Sequence, residues 1–415
     1  MGGQNLASVP ADPGLPRRCA PRNDSGRAGA ESSQTSVLRL IRLTLTQFRN
    51  YPALTWRPAA RISVITGPNG SGKTNLLEAV SLLQPGRGLR GARIAELARQ
   101  APDAPGAWGV AARVLHDGTE ADLGTGTSPD GPPDRRVFRL NGAAPRSQAE
   151  IAAVMAAVWL TPQMDRLFQE GASGRRRFLD RLVWALEPGH AREVSAFETA
   201  LSGRNRLLAA GGADPAWLAG LEDSMARHAV AATAARAGLV ARLNTVLAAG
   251  ATGSFPAAQL TLLDQVADRL AMEPALAVED WFRAGLAGNR RQDAAAGSAS
   301  LGAHRADMAL SDAGTGLPAA LASTGQQKAL LTGVVLGHAA LIADARGAAP
   351  LLLLDEPAVH LDALRRAALW DALSAMSAQV LITGTDPAPL AALEGQAEWL
   401  RAGDGALVPE DPPGA

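Results

Sequence analysis

Eight consecutive residues, Gly67-Pro68-Asn69-Gly70-Ser71-Gly72-Lys73-Thr74, read GxxxxGK[ST]. Their chemistry is that of a phosphate cradle. Glycines let successive backbone N–H groups converge, Lys73 reaches β/γ oxygens, and the Thr74 hydroxyl can hold Mg²⁺. Such a loop works between a strand and a helix, because the helix start lends its unpaired N–H groups to an anion. Residues 61–66 (RISVIT) predict a buried strand and residues 75–83 (NLLEAVSLL) a helix, by their apolar spacing. Of 40 basic residues only two are lysines, Lys73 and Lys328. A chain that otherwise uses arginine keeps a compact ammonium where a point charge must sit among phosphates.

A second constellation follows the run Leu351-Leu352-Leu353-Leu354, which predicts a buried strand ending in Asp355-Glu356. In the same chain as a P-loop, Asp355 is expected in the Mg²⁺ shell. Glu356 is expected as the general base or as the group that orients the attacking water beside a γ-phosphate. Upstream, Ser323-Thr324-Gly325-Gln326-Gln327-Lys328 opens a predicted helix running to about residue 342. A serine hydroxyl and a glycine N–H at a helix start form another anion site. The same serine reads equally well as an ordinary N-cap. Ser323 precedes Asp355 by 32 residues, the length that one helix and one strand occupy.

These residues need an α/β scaffold. Strands are expected at 38–45, 54–56, 108–116 and 137–140, with a mobile hairpin tip at 124–134, dense in Gly, Pro and Asp. From residue 149 the texture turns to Ala, Leu and Arg. Helices are expected over 173–186, 190–210 and 218–248, broken at Pro188-Gly189 and Gly211-Gly212. A strand at 259–263, a helix at 279–286 and a flexible loop at 285–300 follow. No heptad register persists, so the insert is compact and not an extended coiled coil. The expected division is 1–36 as a disordered tail or a mis-assigned start, 37–148 and 301–415 as the two halves of one ATPase domain, and 149–300 as a helical lobe between them.

Composition narrows the setting. The formal net charge is zero and the isoelectric point about 7.0, so no global field draws the chain to nucleic acid or acidic membranes. DNA contact would fall to local clusters: Arg135-Arg136, Arg175-Arg176-Arg177, Arg290-Arg291 and Arg365-Arg366, each of which also reads as a solvated surface group. The single cysteine, Cys19, excludes an intramolecular disulfide and fits a reducing cytoplasm. No stretch approaches 18 uncharged apolar residues, so no membrane partner is expected.

Asp355-Glu356-Pro357 followed by Leu361-Asp362 resembles the ABC-type ATPases, whose Leu-Asp turn is the D-loop; Ser323, Gly325 and Gln326 resemble their signature motif. That resemblance implies a two-fold, ATP-induced homodimer, in which Ser323, Gly325, Gln326 and Asp362 of one subunit close over the nucleotide of the other. Ser323 lies 250 residues beyond Lys73, longer than a transporter energy subunit needs and without the coil of an SMC-like structural ATPase; these two remain the alternatives. Leu45-Thr46-Gln47-Phe48-Arg49-Asn50, Gly86-Arg87-Gly88-Leu89-Arg90, Leu160-Thr161-Pro162, Arg175 to Asp180, Gly203 to Leu208, Gly302 to Asp307 and Gln379 to Thr385, in this order, resemble the RecF family of recombination-mediator ATPases. The chain departs from that pattern at Ala303, where proline is common, and at Pro357. The resemblance implies a cytoplasmic DNA-repair protein that binds gapped or junctional duplex DNA. It further implies RecR and RecO as partners in loading RecA, and slow, DNA-stimulated ATP hydrolysis.

Several residues keep two readings. Arg49 and Asn50 line the base and ribose or form a strand-end turn, and Thr385 senses the γ-phosphate or caps a strand. Arg175–Arg177 neutralise DNA phosphates or hold the helical lobe to the sheet, and His304-Arg305 is a site or a polar pair of the core.

Overall fold

The computed structural model describes residues 36–102, 104–128, 131–132, 134–211 and 214–413. The tail expected at 1–36 lies outside the described residues except for Ser36, which begins a short strand, Ser36–Val37, paired with Ala348–Ala349.

The strand before the P-loop, Ile62–Thr66, is central to a six-stranded sheet. On one side it pairs in parallel with Val380–Gly384, which pairs in turn with Leu351–Leu354, and that strand with Ala157–Leu160. On the other side it pairs with Ala397–Gly403, and the antiparallel Ala406–Pro409 closes that edge. Covered on both faces, such strands carry unbroken apolar runs; Leu351 to Leu354 are 0% exposed. The parallel arrangement brings the C-terminal ends of three strands together, at Thr66, Thr383 and Leu354, where the P-loop and the acidic pair begin.

A second, antiparallel sheet packs into the same core in the order Tyr51–Trp56, Arg39–Phe48, Gly109–His116, Thr119–Thr127, Arg136–Leu140. The expected hairpin tip begins too early at Gly124. The strand continues to Thr127, because Gly124, Thr125 and Gly126 pair with Arg139, Phe138 and Val137.

Helices Ala172–Leu186, His190–Ala210 and Pro215–Ala248 match the sequence expectation within a few residues. Asp214 caps the last by accepting the Ala216 N–H, with Pro215 in the first turn. Ala172–Leu186 packs into the main core through Phe178, Leu179, Leu182 and Val183. His190–Ala210 and Pro215–Ala248, with Gln265–Leu270 and Ala275–Gly288, build a separate core on Phe197, Met225, Val278, Phe282 and Leu286, flanked by Arg290–Ala296. Arg204, fully buried there, is satisfied by Glu222 at 2.9 Å, Asp293 at 2.8 Å and the Leu286 carbonyl at 2.7 Å.

Two expectations are corrected. Residues 285–300 are largely helical and not a loop: Arg290 pairs with Glu222 and buried Asp293 with Arg204, which fixes this alanine-rich stretch. Ala157–Leu160, placed by sequence in the helical lobe, is instead the edge strand of the six-stranded sheet. The expected strand at 259–263 forms as Ala258–Leu263 and pairs with Asp307–Asp312.

The helix Thr324–Arg346 runs through the main core. Among the described residues it alone is long and apolar enough to cross a membrane by length and composition, yet 78% of its apolar window is buried inside the fold.

Candidate functional site

The P-loop connects Ile62–Thr66 to the helix Lys73–Ser81. Gly72, at φ 106°, precedes that helix and offers no side-chain cap, so the first N–H groups stay available. A side chain at Gly72 would fall 2.3 Å from Asn50 Nδ2. The loop is gripped from behind at that point: Asn50 Nδ2 donates to the Ser71 carbonyl at 3.0 Å, and Tyr51 Oη to the Gly72 carbonyl at 3.1 Å. Ser71 Oγ is buried with no partner among the described residues, while Pro68, Asn69 and Gly70 stand exposed at the tip. Lys73 Nζ folds back onto the carbonyls of Gly67 at 2.7 Å and Pro68 at 2.9 Å. Burial lowers its pKa, opposed by the charges of Glu356 and Asp355.

The acids lie opposite. Thr74 Oγ1 donates to Asp355 Oδ1 at 2.9 Å, so the Walker A hydroxyl and the Walker B carboxylate share one point 281 residues apart in sequence. Burial raises the pKa of Asp355, an effect opposed by its hydrogen bonds from Thr383 and Thr74. An uncoordinated buried carboxylate beside a hydroxyl is a donor set of the hard-oxygen kind that suits Mg²⁺. Glu356 has a left-handed backbone, φ 47°, unusual for a non-glycine residue. Its Oε1 accepts from Thr385 Oγ1 at 2.7 Å, and the same hydroxyl lies 3.1 Å from Asn69 Oδ1 at the P-loop tip. Thr385 therefore spans the cleft between the loop and the acid, more than a strand cap would.

Arg49 and Asn50 take the bracing part. The Arg49 guanidinium pairs in fork geometry with buried Glu78 of the P-loop helix, at 2.9 and 3.0 Å, and with the Glu96 carbonyl. Asn50 holds the loop backbone and accepts from Asn75 Nδ2 at 2.8 Å. The structure engages neither as a free wall for base or ribose.

Ser323 and Gln326 form a reciprocal capping box: Gln326 N donates to Ser323 Oγ at 3.3 Å, and Ser323 N to Gln326 Oε1 at 2.9 Å. Gly325 is half-buried, and a Cβ there would lie 2.8 Å from the His360 carbonyl, so the helix start presses on the turn after the acids. Asp362 caps the helix Ala363–Ala375 through the Arg365 N–H at 2.9 Å and pairs with the Arg365 side chain at 2.8 Å. Ser323 is thus an N-cap, with Ser323, Thr324 and Gln326 exposed at the helix start.

Most candidate DNA arginines are spent inside the molecule. Arg175 forks onto Asp307 at 2.7 and 2.8 Å, and Arg176 donates to the Ala306 carbonyl, so two of the triplet hold a helix against a strand. Arg136 is bound to the carbonyls of Leu82, Gln84 and Gly86, Arg290 to Glu222, and Arg365 to Asp362. Arg135, Arg177 and Arg291 remain exposed. His304 and Arg305 both donate to the Ala299 carbonyl, a polar pair of the fold.

Sequence reasoning missed two groups. Thr383, 0% exposed in the strand between the P-loop strand and the acids, contacts both acidic residues; as one polar residue in an apolar strand it carried no separate signal. Lys328, the second lysine, carries no role that its sequence context reveals. It is 1% exposed, donates to the Glu356 carbonyl at 3.1 Å, and lies 3.6 Å from Asp165.

A parallel sheet with a P-loop on its central strand, an acidic pair two strands away and a capped helix pressing on the following turn defines an ABC-type ATP-binding head with a compact helical insert. The RecF/RecN/SMC N terminal domain model matches residues 39–396. The chain is 46% identical over 374 residues to the DNA replication and repair protein RecF of Mesorhizobium japonicum, covering 90% of this chain and 98% of that one. It is 46% identical over 375 residues to the protein of that name from Agrobacterium fabrum, covering 90% and 99%. Its fold is like that of the recombination mediator protein RecF-ATPrS in the RecFOR pathway, with a TM-score of 0.77 at 22% identity, covering 90% of this chain and 98% of that structure. The chain belongs to the RecF family.

Proposed function

We propose that the chain is an ATP-gated DNA-binding protein of recombinational repair and replication. It would dimerise on ATP, bind gapped duplex or single-strand/double-strand junctions in the cytoplasm, and act with RecR and RecO to help load a recombinase. The observation that carries the reading is the convergence of Lys73, Thr74, Asp355 and Glu356 in one cleft, together with a signature-type helix start whose Ser323 and Gln326 face solvent. The printed names of the relatives and the RecFOR structure supply the biological setting.

In this reading Lys73 leaves the Gly67 and Pro68 carbonyls for the β/γ oxygens of ATP. Thr74 and Asp355 would hold Mg²⁺, which would supply neutralisation of phosphate charge. Glu356, steadied by Thr385, orients the attacking water and takes its proton. Hydrolysis is expected to be slow and DNA-stimulated, because the opposing helix start must come from a second copy whose approach DNA can favour. The exposed Leu321, Val359 and Leu364 around the signature and D-loop segments, 75%, 43% and 81% exposed, give that face apolar surface to bury.

Fluorescence anisotropy of labelled gapped and intact duplexes, with and without Mg·ATP at two salt concentrations, tests the proposal. ATP-dependent, salt-sensitive binding that favours the gap is the expected result. Hydrolysis without binding to either DNA would remove the repair function and leave the ATPase.

A further inference from the structure

Beside the loop after the P-loop helix lies a half-open cavity of about 760 Å³, lined by that loop, the strand Ala157–Leu160 and the helices Ala172–Leu186 and His190–Ala210. No residue of 67–74 lines it, nor do Asp355 and Glu356, so it is separate from the site described above. Its volume lies in the range of small-molecule sites.

The cavity wall combines aromatic surface with uncompensated positive charge. Trp159, Phe178 and Trp184 line it, and the Arg181 guanidinium lies 4.8 Å from the Trp159 ring and 5.0 Å from the Phe178 ring. Among the described residues Arg181 has no carboxylate partner; its hydrogen bond is to Met164 Sδ at 3.6 Å. Arg346, also on the wall, is held by the carbonyls of Ala152 and Ala185, again with no carboxylate. Burial, aided by these two charges, holds His338, a third lining residue, neutral. The acids that line the cavity do not answer them: Asp180 is occupied by Arg236 and His190, and Glu170 and Glu198 are exposed, as are Arg87 and Arg177.

An arginine in an aromatic recess without a counter-ion is costly unless an anion completes it. The indole N–H of Trp159, a residue 5% exposed, has no acceptor among the described residues, and the Nδ1 atoms of His190 and His338 have no partner there either. All three atoms are sealed from the open space of the cavity, so a ligand would meet the Arg181 guanidinium and the aromatic faces and not these atoms.

We propose that this cavity binds a nucleoside monophosphate unit, its phosphate on Arg181 and its base against the tryptophan-lined wall. Guanidinium groups suit phosphate, and an apolar recess with a few fixed polar groups suits a flat heterocycle. Two sources share this chemistry, a free mononucleotide and the terminal nucleotide of a DNA strand; the second rests on the DNA-binding reading above, the first does not.

The test is tryptophan fluorescence of the full chain in a Lys73→Ala background, which separates the cavity from the P-loop. The titrants are dAMP, deoxyadenosine, and a junction oligonucleotide with a recessed 5′-phosphate. Saturable quenching by dAMP, at least about tenfold weaker for deoxyadenosine and for Arg181→Met, supports a free-nucleotide site. Quenching by the oligonucleotide alone, lost in Arg181→Met, supports the strand-end source. Should Arg181→Met fail to fold, Trp159→Phe and Arg181→Lys carry the comparison, each expected to weaken binding. Absence of saturation by both dAMP and the oligonucleotide, or unaltered affinity in folded variants, overturns the proposal whether or not the chain binds DNA elsewhere.

Discussion

Thr383 donates its hydroxyl to Asp355 Oδ1 at 2.7 Å and accepts the Glu356 backbone N–H at 3.0 Å. One threonine therefore fixes both the Asp355 carboxylate and the backbone from which Glu356 projects. It stands on Val380–Gly384, the strand between the P-loop strand and the acidic strand. Thr383→Val keeps the shape and removes both bonds. We expect ATP turnover to fall about ten- to a hundredfold, as for other groups that orient metal ligands, and stability by roughly 1–3 kcal/mol for the buried groups left unpaired. Steady-state hydrolysis and urea denaturation check this, and unchanged turnover in a folded variant would remove the role.

The helix start at Ser323 can be examined apart from its local duty. Ser323→Arg loses the cap, at a cost of about 0.5–2 kcal/mol, and places a bulky cation where a second subunit would bring its nucleotide. The expected outcome is a folded monomer that binds ATP and no longer dimerises on it, read by light scattering with and without Mg·ATP. Ser323→Asn keeps capping ability and is expected to restore the lost stability while dimerisation stays impaired. A Ser323→Arg chain that still dimerises would leave the capping box as the whole explanation of this motif.

The arginine triplet divides by partner. Arg175→Ala is expected to destabilise the fold by roughly 1.5–3 kcal/mol, since Asp307 loses a charge-assisted fork in a half-buried position. It is expected to leave the salt slope of DNA binding as it was. Arg177→Ala should leave stability unchanged, and if Arg177 meets a phosphate, the slope of log K against log salt should shrink by about 0.9. Salt titrations of both variants distinguish brace from contact.

These cases show where the sequence spoke. The P-loop, the acidic pair and the helix starts were legible because their meaning lies in contiguous spacing, and Pro188-Gly189 and Gly211 punctuated the long helices plainly. Arg49 and Arg175 were ambiguous because what decides each is a carboxylate far along the chain, Glu78 at 29 residues and Asp307 at 132. Ala157–Leu160 was absorbed into the helical lobe because four apolar residues have no period, and only pairing with Leu351–Leu354 makes them a strand. Alanine-rich 285–300 looked loose because its order depends on Asp293 reaching Arg204 from another helix.

Lys328 ties the signature-type helix to the backbone of Glu356. Its ammonium grips the Glu356 carbonyl at 3.1 Å, and Asp165 lies 3.6 Å away, with Asp165 Oδ1 otherwise buried and unpartnered. Burial lowers the pKa of Lys328 and raises that of Asp165, each effect opposed by the other's charge. Lys328→Met should lower kcat about ten- to a hundredfold, the scale of a small misplacement of a reacting group. The KM for ATP should change little, because the P-loop is untouched. Adding Asp165→Asn should recover stability, by removing the uncompensated acid, without recovering kcat. An increase in KM alone would place Lys328 in nucleotide binding instead of in holding Glu356.

His338 makes the core sensitive to acid. Its Nε2 donates to the Leu182 carbonyl at 2.9 Å, and burial, aided by the charges of Arg181 and Arg346, pushes its pKa down to about 3. An unfolded histidine titrates near 6.5. Between those values the unfolded chain binds a proton that the folded one refuses, so stability is lost as pH falls below about 6.5 and the loss ends near the folded value. The slope from this residue approaches about 1.4 kcal/mol per pH unit at most. His338→Leu should flatten the fall by that amount between pH 6 and 4 relative to the native chain, whatever the carboxylates contribute to both. Urea midpoints at pH 7, 6, 5 and 4 measure it. Parallel curves for the two chains would mean that the imidazole is reached by protons in the folded state, as a hydrated cavity beside Arg181 would allow.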